Sequence, residues 1–251
     1  MKISIITACY NSSAAIETAV RSVLDQTHSP VEYIVVDGAS TDGTLDILAG
    51  YKGRISRLIS EKDGGIYYAL NKGFSAATGD VVGLLHSDDV YAGADVLEKV
   101  ARVFAETGAD AVYGDLAYVR ADGSVLRYWK AGVYDRASLE RGWMPPHPAF
   151  FARREVYAKY GLFDTSYRIA ADYELLTRLL YKNSLKTAYI PELLVKMRVG
   201  GTSNRSLKNI LLKSREDYRV INTYGLGGIK TLLMKNFSKL PQFFRRAAAP
   251  R

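Results

Sequence analysis

Short apolar runs alternate with helical periodicities along the first half of the chain. Ile3–Thr7 is apolar and ends in a polar turn, the pattern of a buried parallel strand. Asn11-Ser12-Ser13 can cap the next segment, where Ile16, Ala19, Val20, Val23 and Leu24 recur at helical spacing. Glu32–Val36 predicts a second strand, closed by Asp37-Gly38, and Ser40–Gly43 forms a turn before a short helix through Leu45, Ile47 and Leu48. Ile55–Ser60 predicts a third strand. Gly64-Gly65 opens a helix through Ala69, Leu70 and Phe74 that ends near Gly79. Asp80–Leu85 predicts a fourth strand running into His86-Ser87-Asp88-Asp89, followed by a helix over 94–107 and a strand at Ala111–Tyr113.

Alternation with short connections predicts an α/β fold: a Rossmann-like, mostly parallel sheet flanked by helices. The polar clusters fall just after the strands, at the carboxyl edge where such sheets bind ligands. Beyond Tyr113 the alternation loosens. Tyr118-Val119 and Val125–Tyr128 flank Ala121-Asp122-Gly123 as a β-hairpin. Trp143–Pro148, with three prolines around His147, is a stiff loop. A helix from about Ile169 to Tyr181 puts Ala171, Leu175, Leu176 and Leu179 on one face and Asp172 near its start.

Composition narrows the class. The chain has 251 residues, 48% hydrophobic and 24% charged, which excludes disordered, collagen-like and small disulfide-rich proteins. A lone cysteine, Cys9, fits a reducing compartment and is expected to be packed. The apolar run after Met1-Lys2 is too short for a signal peptide and reads as a buried strand. No apolar run approaches the roughly 18–20 residues of a spanning helix.

The net charge of +8 suggests nucleic acid or an anionic membrane as a partner. Its distribution changes that picture. Residues 205–251 hold eleven basic residues and only Glu216 and Asp217 on the acidic side, a net +9. Residues 1–204 carry −1. The expected organisation is a neutral body over 1–204 and a basic, amphipathic helical tail over 205–251.

In that tail, 205–223 reads as a charged helix with Leu207, Ile210, Leu211 and Ser214 on one side. Leu226, Ile229, Leu232, Leu233, Phe237, Leu240, Phe243 and Phe244 then recur at near-helical spacing, with Lys230, Lys235, Lys239, Arg245 and Arg246 between them. Pro241 would break or kink this segment. Two readings stay open: an interfacial membrane contact through 226–246, or helices packed on the core with solvated lysines.

Three constellations carry candidate chemistry. Gly83–Asp89 puts two adjacent acids after a buried strand. Such acids repel unless a cation neutralises them, and oxygen ligands suit Mg²⁺ or Mn²⁺; a pair stabilising the next helix start would look the same. Asp37, beside Gly38, ends a strand where an acid can bond a ribose or a base, or simply make a turn. The segment lacks the GxGxxG dinucleotide fingerprint. Asp63-Gly64-Gly65 allows close backbone approach at a helix start suited to anions, or serves as a capped loop.

In order, Ile5–Asn11, Val36–Thr44, Asp63-Gly64-Gly65 with Ala69 and Asn71-Lys72-Gly73, Thr78-Gly79-Asp80 and His86–Asp89 resemble the family-2 glycosyltransferases of GT-A fold. Gly161–Asp164 followed by Ala171–Leu175 adds to the likeness, which covers residues 1 to about 200 and resembles the bacterial polysaccharide-assembly branch, of colanic acid or O-antigen type. The resemblance implies an inverting transfer from a UDP-, GDP- or dTDP-sugar to a saccharide hydroxyl, with a lipid-linked acceptor and a place in the cytoplasm or on the inner face of the membrane. It implies Thr7, Ala8 and Tyr10 in the base pocket, with Asp37, Asp63, Gly64 and Ser87 also at the nucleotide. It implies Asp88, assisted by Asp89, at a divalent metal (Mn²⁺ or Mg²⁺), and Asp172 as the catalytic base.

Two departures matter. His86 stands at the first position of the family's D-x-D motif, as a ligand, a diphosphate or acceptor contact, or a tolerated replacement. The late histidine of many relatives is missing near Met197–Gly201, where Arg198 can meet a phosphate instead, with a plain surface position equally open. His147 is a candidate acceptor contact, with a loop role equally open. Two other classes compete. A sugar-phosphate nucleotidyltransferase shares paired acids, but Thr7–Ser13 lacks a glycine- and lysine-rich triphosphate loop. A basic nucleic-acid-binding protein is disfavoured by the −1 charge of residues 1–204, so no nucleic-acid partner is expected.

Overall fold

The computed structural model describes residues 1–199 and 207–237. Strands β1 (Ile3–Cys9), β2 (Val31–Asp37), β3 (Arg57–Ser60) and β4 (Val81–Leu84) lie parallel in the order β3-β2-β1-β4. Helices α1 (Ile16–Leu24), α2 (Thr44–Ala49) and α3 (Ile66–Ala76) connect them. Every residue of β1 is buried, because both sheet faces are covered, and this is why its sequence does not alternate. Cys9 pairs with Asp37, Asp37 with Ser60, and Ile6 with Leu84. This register brings the turns after all four strands to one edge.

The second half adds β5 (Val90–Tyr91), α4 (Val96–Thr107), the hairpin of β6 (Ala111–Val119) and β7 (Val125–Trp129), and α5 (Arg136–Glu140). It continues with β8 (Phe150–Arg153), α6 (Arg154–Tyr160), α7 (Ala171–Thr177) and β9 (Thr187–Arg198). Beyond β4 the sheet order is β8-β6-β9-β5. β8 runs antiparallel to both β4 and β6, whereas β9 is parallel to β6. The chain enters β8 from the carboxyl edge, through the His147 loop, so β8 must run against its neighbours. The sheet is therefore parallel on one side and mixed on the other.

The C-terminal helices are α8 (Leu207–Thr223) and α9 (Ile229–Phe237). Val220, Ile221 and Leu226 belong to the same apolar cluster as Leu175, Leu176 and Phe74. The expected apolar face of α8 is not the buried one: Ile210 is 47% and Leu211 72% exposed, while Glu216, Asp217, Val220 and Ile221 face inward. On α9, Thr231 and Lys235 are buried and Ile229, Leu233 and Phe237 exposed. The inward face of α8 therefore joins Glu216 and Asp217 to Val220 and Ile221, and that of α9 carries Thr231 and Lys235. Arg205, Lys239, Leu240, Pro241, Phe243, Phe244, Arg245, Arg246 and Arg251 lie outside the described residues.

Two further expectations shift. Asn11-Ser12-Ser13 does not cap α1 through a side chain; the Asn11 carboxamide oxygen accepts from the Thr41 amide (2.9 Å), and Asp42 accepts from the Ser13 amide (3.0 Å). These polar residues tie the first turn to the second. The helix expected over 169–181 begins at Ala171 and passes into a π-helical turn, Arg178–Lys182.

Thr78-Gly79-Asp80 leads into β4 against the start of β1. A Cβ at Gly79 would sit 2.8 Å from the Ser4 amide nitrogen and 2.9 Å from the Lys2 carbonyl oxygen, backbone atoms that cannot swing away. Gly79→Ala is expected to destabilise the fold by about 1–3 kcal/mol. Thermal unfolding should show this as a lower Tm, by roughly 2–12 °C for a chain of this size.

Candidate active site

The carboxyl edge assembles most of the residues marked from sequence. Tyr10 projects from the end of β1, 65% exposed, next to Gly38. Thr7 and Ala8 are buried, so their side chains do not line an open pocket. The Thr7 hydroxyl donates to the Leu85 carbonyl (2.8 Å) and accepts from Tyr33 (3.1 Å), fastening β1 to β4 and β2. Asp37 is also buried. It accepts from the Ser40 amide (3.0 Å), the Ser40 hydroxyl (2.5 Å), the Ser60 hydroxyl (2.7 Å) and the Cys9 thiol (3.7 Å). In this structure it organises its own turn. Burial, followed by the Asp37 charge, pushes the Cys9 thiol upward, so it is a packed thiol and not a thiolate.

Asp63 follows β3 on the same edge. Lys72 of α3 bridges it to Glu61, at 2.5 Å from each. Gly64 is exposed, and Gly65 enters α3 at φ +136°, a conformation that favours glycine. Ser87 meets Ser12 across the edge at 3.1 Å between hydroxyls.

Asp88 is half-buried and Asp89 fully buried. Among the described residues, neither carboxylate oxygen of Asp89 has a hydrogen-bond partner. Its burial, then its neighbour Asp88, pushes its carboxyl well above the usual range, with Arg198 opposing. A buried carboxylate without a donor stays ionised only if a counter-charge reaches it. A divalent cation fits that need, with Asp88 alongside as a second oxygen ligand. Among the described residues, no set of three or more His, Cys, Asp or Glu could hold a metal by itself. The other ligand oxygens must therefore come from elsewhere. Arg198 reaches Thr18 at 3.3 Å and lies close enough to Asp89 to act on its charge.

The loop before β8 and the first turn of α7 meet in a chain of three side chains. His147 Nδ1 lies 3.0 Å from Asp172 Oδ2, and His147 Nε2 lies 3.0 Å from His86 Nε2. His147 Nδ1 thus faces the Asp172 carboxylate, and its Nε2 shares a hydrogen bond with His86 Nε2. His86 is thereby turned toward His147, joining the acidic turn to Asp172. Burial opposes ionisation of Asp172, but His147, with Lys213 and Lys235 beyond it, holds its carboxyl well below the usual range.

The residues not foreseen from sequence lie behind Asp172. Lys213 and Lys235 flank Asp217 at 2.7 and 2.8 Å, and Lys235 Nζ sits 2.9 Å above the Tyr173 ring centre. Glu216 accepts from the backbone at the start of α7. The available signal was that Glu216 and Asp217 are the only two acids in a strongly basic tail.

Residues 4–167 match the family described as Glycosyl transferase family 2. A "PGL/p-HBAD biosynthesis glycosyltransferase" of Mycobacterium bovis is 33% identical over 215 residues, covering 84% of this chain and 82% of the relative. Among solved structures, S. aureus TarS has a TM-score of 0.70 at 19% identity, covering 99% of this chain, which spans 46% of TarS. TarS 1–349 has also been solved with UDP-GlcNAc. A mannosyltransferase of Pyrobaculum calidifontis, in complex with GDP-Man and Mn²⁺, has a TM-score of 0.66 at 20% identity, covering 96% of this chain and 72% of its own. At these identities the structural likenesses establish the GT-A fold.

Burial, with His147 beside it, pushes the His86 imidazole from 6.5 down to about 3. Between those values the unfolded chain holds a proton at His86 that the folded chain lacks. Stability therefore falls as pH drops from about 6.5 toward 3. Asp172, held low, adds to the loss only below about pH 4. His86→Gln should flatten the Tm–pH profile between about pH 6.5 and 4.5; an unchanged slope would contradict this assignment.

Proposed function

The chain belongs to glycosyl transferase family 2, and on that premise we propose an inverting enzyme that moves a sugar from a nucleoside diphosphate donor to a saccharide hydroxyl in one displacement. The observation that carries the reading is the Asp172–His147–His86 chain, which joins an ionised carboxylate to the Asp88-Asp89 turn. TarS 1–349 in complex with UDP-GlcNAc and the Pyrobaculum enzyme with GDP-Man support a donor of this class, with UDP, GDP or dTDP as its nucleotide. Tyr10 stacks on the base. The nucleoside rests against the turn held by Asp37, the backbone at Thr7 and Ala8, and Asp63, Gly64 and Ser87. Arg198 meets the phosphates.

Asp88 and Asp89 would hold Mn²⁺ or Mg²⁺, the donor's diphosphate completing the oxygen ligands. When bound, that cation stabilises the negative charge that develops on the leaving nucleotide. Asp172 takes the proton of the acceptor hydroxyl as its oxygen attacks the anomeric carbon. His147 keeps the carboxylate ionised and aimed. One displacement inverts the carbon, and no second nucleophile is needed.

The acceptor is a lipid-linked saccharide, as in the colanic acid or O-antigen type of polysaccharide assembly. Residues 1–204 form the catalytic body and 205–251 its attachment. Ile229, Leu233 and Phe237 make an exposed stripe at a four-residue interval on α9, with Lys230 beside it. That stripe supports peripheral contact with an anionic inner membrane face through 226–246. Among the described residues no helix is long and apolar enough to cross a membrane.

A screen of UDP-, GDP- and dTDP-sugars with Mn²⁺ should find one that raises the Tm. Asp172→Asn should keep that shift and lower transfer by about 10²–10⁴-fold; undiminished transfer would sink the base assignment. For the membrane contact, replacing Leu233 and Phe237 by Ser should abolish co-sedimentation with phosphatidylglycerol vesicles. Retained binding at moderate salt would count against α9 as the contact.

A further inference from the structure

We propose that Glu216 is a positioning residue for the catalytic base, so that the C-terminal helices are part of the active site as well as an attachment. The inference rests on the reading of Asp172 as that base. A helix start leaves amide N–H groups without partners, normally met by a Ser, Thr, Asp or Asn at the cap. The cap residue of α7 is Ala170, which has no side-chain acceptor. What holds this helix start is instead the turn leading into it, fixed by Glu216, far along the chain on α8. Its Oε1 accepts from the Arg168 amide, and its Oε2 from the Ile169 and Ala170 amides, each at 2.9 Å. Asp172 follows two residues later. Glu216 is 8% exposed, so these bonds are made away from competing water.

The neighbouring contacts serve the same pair. Tyr224, just after α8, donates its hydroxyl to Glu174 of α7 at 2.5 Å. Asp217 holds Lys235 under Tyr173, between Asp172 and Glu174 in sequence. On the other side, α9 backs the loop that leads to His147. Thr231 donates to the Glu140 carbonyl at 2.5 Å, and a Cβ on Gly142 would meet the Lys235 Cα at 2.7 Å. Thus α8 fixes the segment bearing Asp172, and α9 supports the segment leading to His147. The 3.0 Å bond between those two side chains depends on both. A base displaced by about 1 Å loses roughly 10²-fold in rate.

The test uses the full chain with ¹⁵N-labelled histidine, which has only three such residues to assign. In the wild type, the proton shared between His147 Nδ1 and Asp172 should be protected from solvent exchange, and Asp172→Asn should abolish its signature. Glu216→Ala should speed that exchange at least tenfold in a chain whose circular dichroism is unchanged. Nucleotide release from UDP-GlcNAc or GDP-mannose, whichever the wild type turns over with Mn²⁺, should fall 10–100-fold in kcat with KM for the donor held. Glu216→Gln, which keeps one acceptor oxygen, should fall between. If Glu216→Ala does not fold, Glu216→Gln is read on the same two scales. A wild-type His147 signal and kcat in the folded Glu216 variant would overturn the proposal. Full turnover in Asp172→Asn would instead overturn the base assignment, whatever Glu216 does.

Discussion

A carboxylate leaves water at a cost of several kcal/mol unless donors or a counter-charge meet it. This chain buries Asp37, Asp89, Asp115, Glu174, Glu216 and Asp217, and half-buries Asp172. Where each finds its partners decides much of the architecture. Asp37 collects donors from three segments and so fixes the turns beyond β1, β2 and β3. Asp115 binds the hydroxyls of Tyr128 and Tyr189 and the Ala131 amide, pinning the strands and loop on the far side of the sheet. Glu174 is held by Arg178, Glu216 by backbone amides and Asp217 by two lysines. Among the described residues, Asp89 alone of these has no hydrogen-bond partner on either oxygen.

The parallel half of the fold was legible because its signals are local. A short, mostly apolar run such as Ile3–Thr7, closed by a polar turn, reads as a strand covered on both faces, and β1 is buried along its whole length. The mixed half was less legible. The direction of β8 depends on the edge from which the chain enters, and nothing in Phe150–Arg153 records that. The rotation of α8 was misread for a related reason. Leu207, Ile210 and Leu211 suggested an apolar face, but the helix instead buries Glu216 and Asp217 beside Val220 and Ile221, with their partners in the turn before α7, on α9 and on α8 itself.

The site shows the same division. The turn acids and Asp172 could be marked from motif order, since residue type and sequence position carry that information. Pairing could not. That His86 points to His147, and not outward to a phosphate, needs the loop before β8 to be laid over the end of β4. That Thr7 and Ala8 are sealed inside needs the strand register. A basic tail reads as an accessory when charge is counted; that Lys213 and Lys235 close on Asp217 behind Asp172 is visible only in contact.

Synthesis runs from the amino end, and the clamp on α7 has a temporal consequence. The acids at the sheet edge, and Asp172 itself, leave the ribosome well before Glu216 and Lys235. Until α8 docks, the amides of Arg168–Ala170 lack their acceptor, and the loop before His147 lacks its backing. A nascent chain can thus complete the parallel half of its sheet while the segment bearing Asp172, the proposed proton acceptor, is still unset. On the proposed reading, competence to bind a donor and competence to spend it are gained at different moments, the second only when α8 and α9 have folded back.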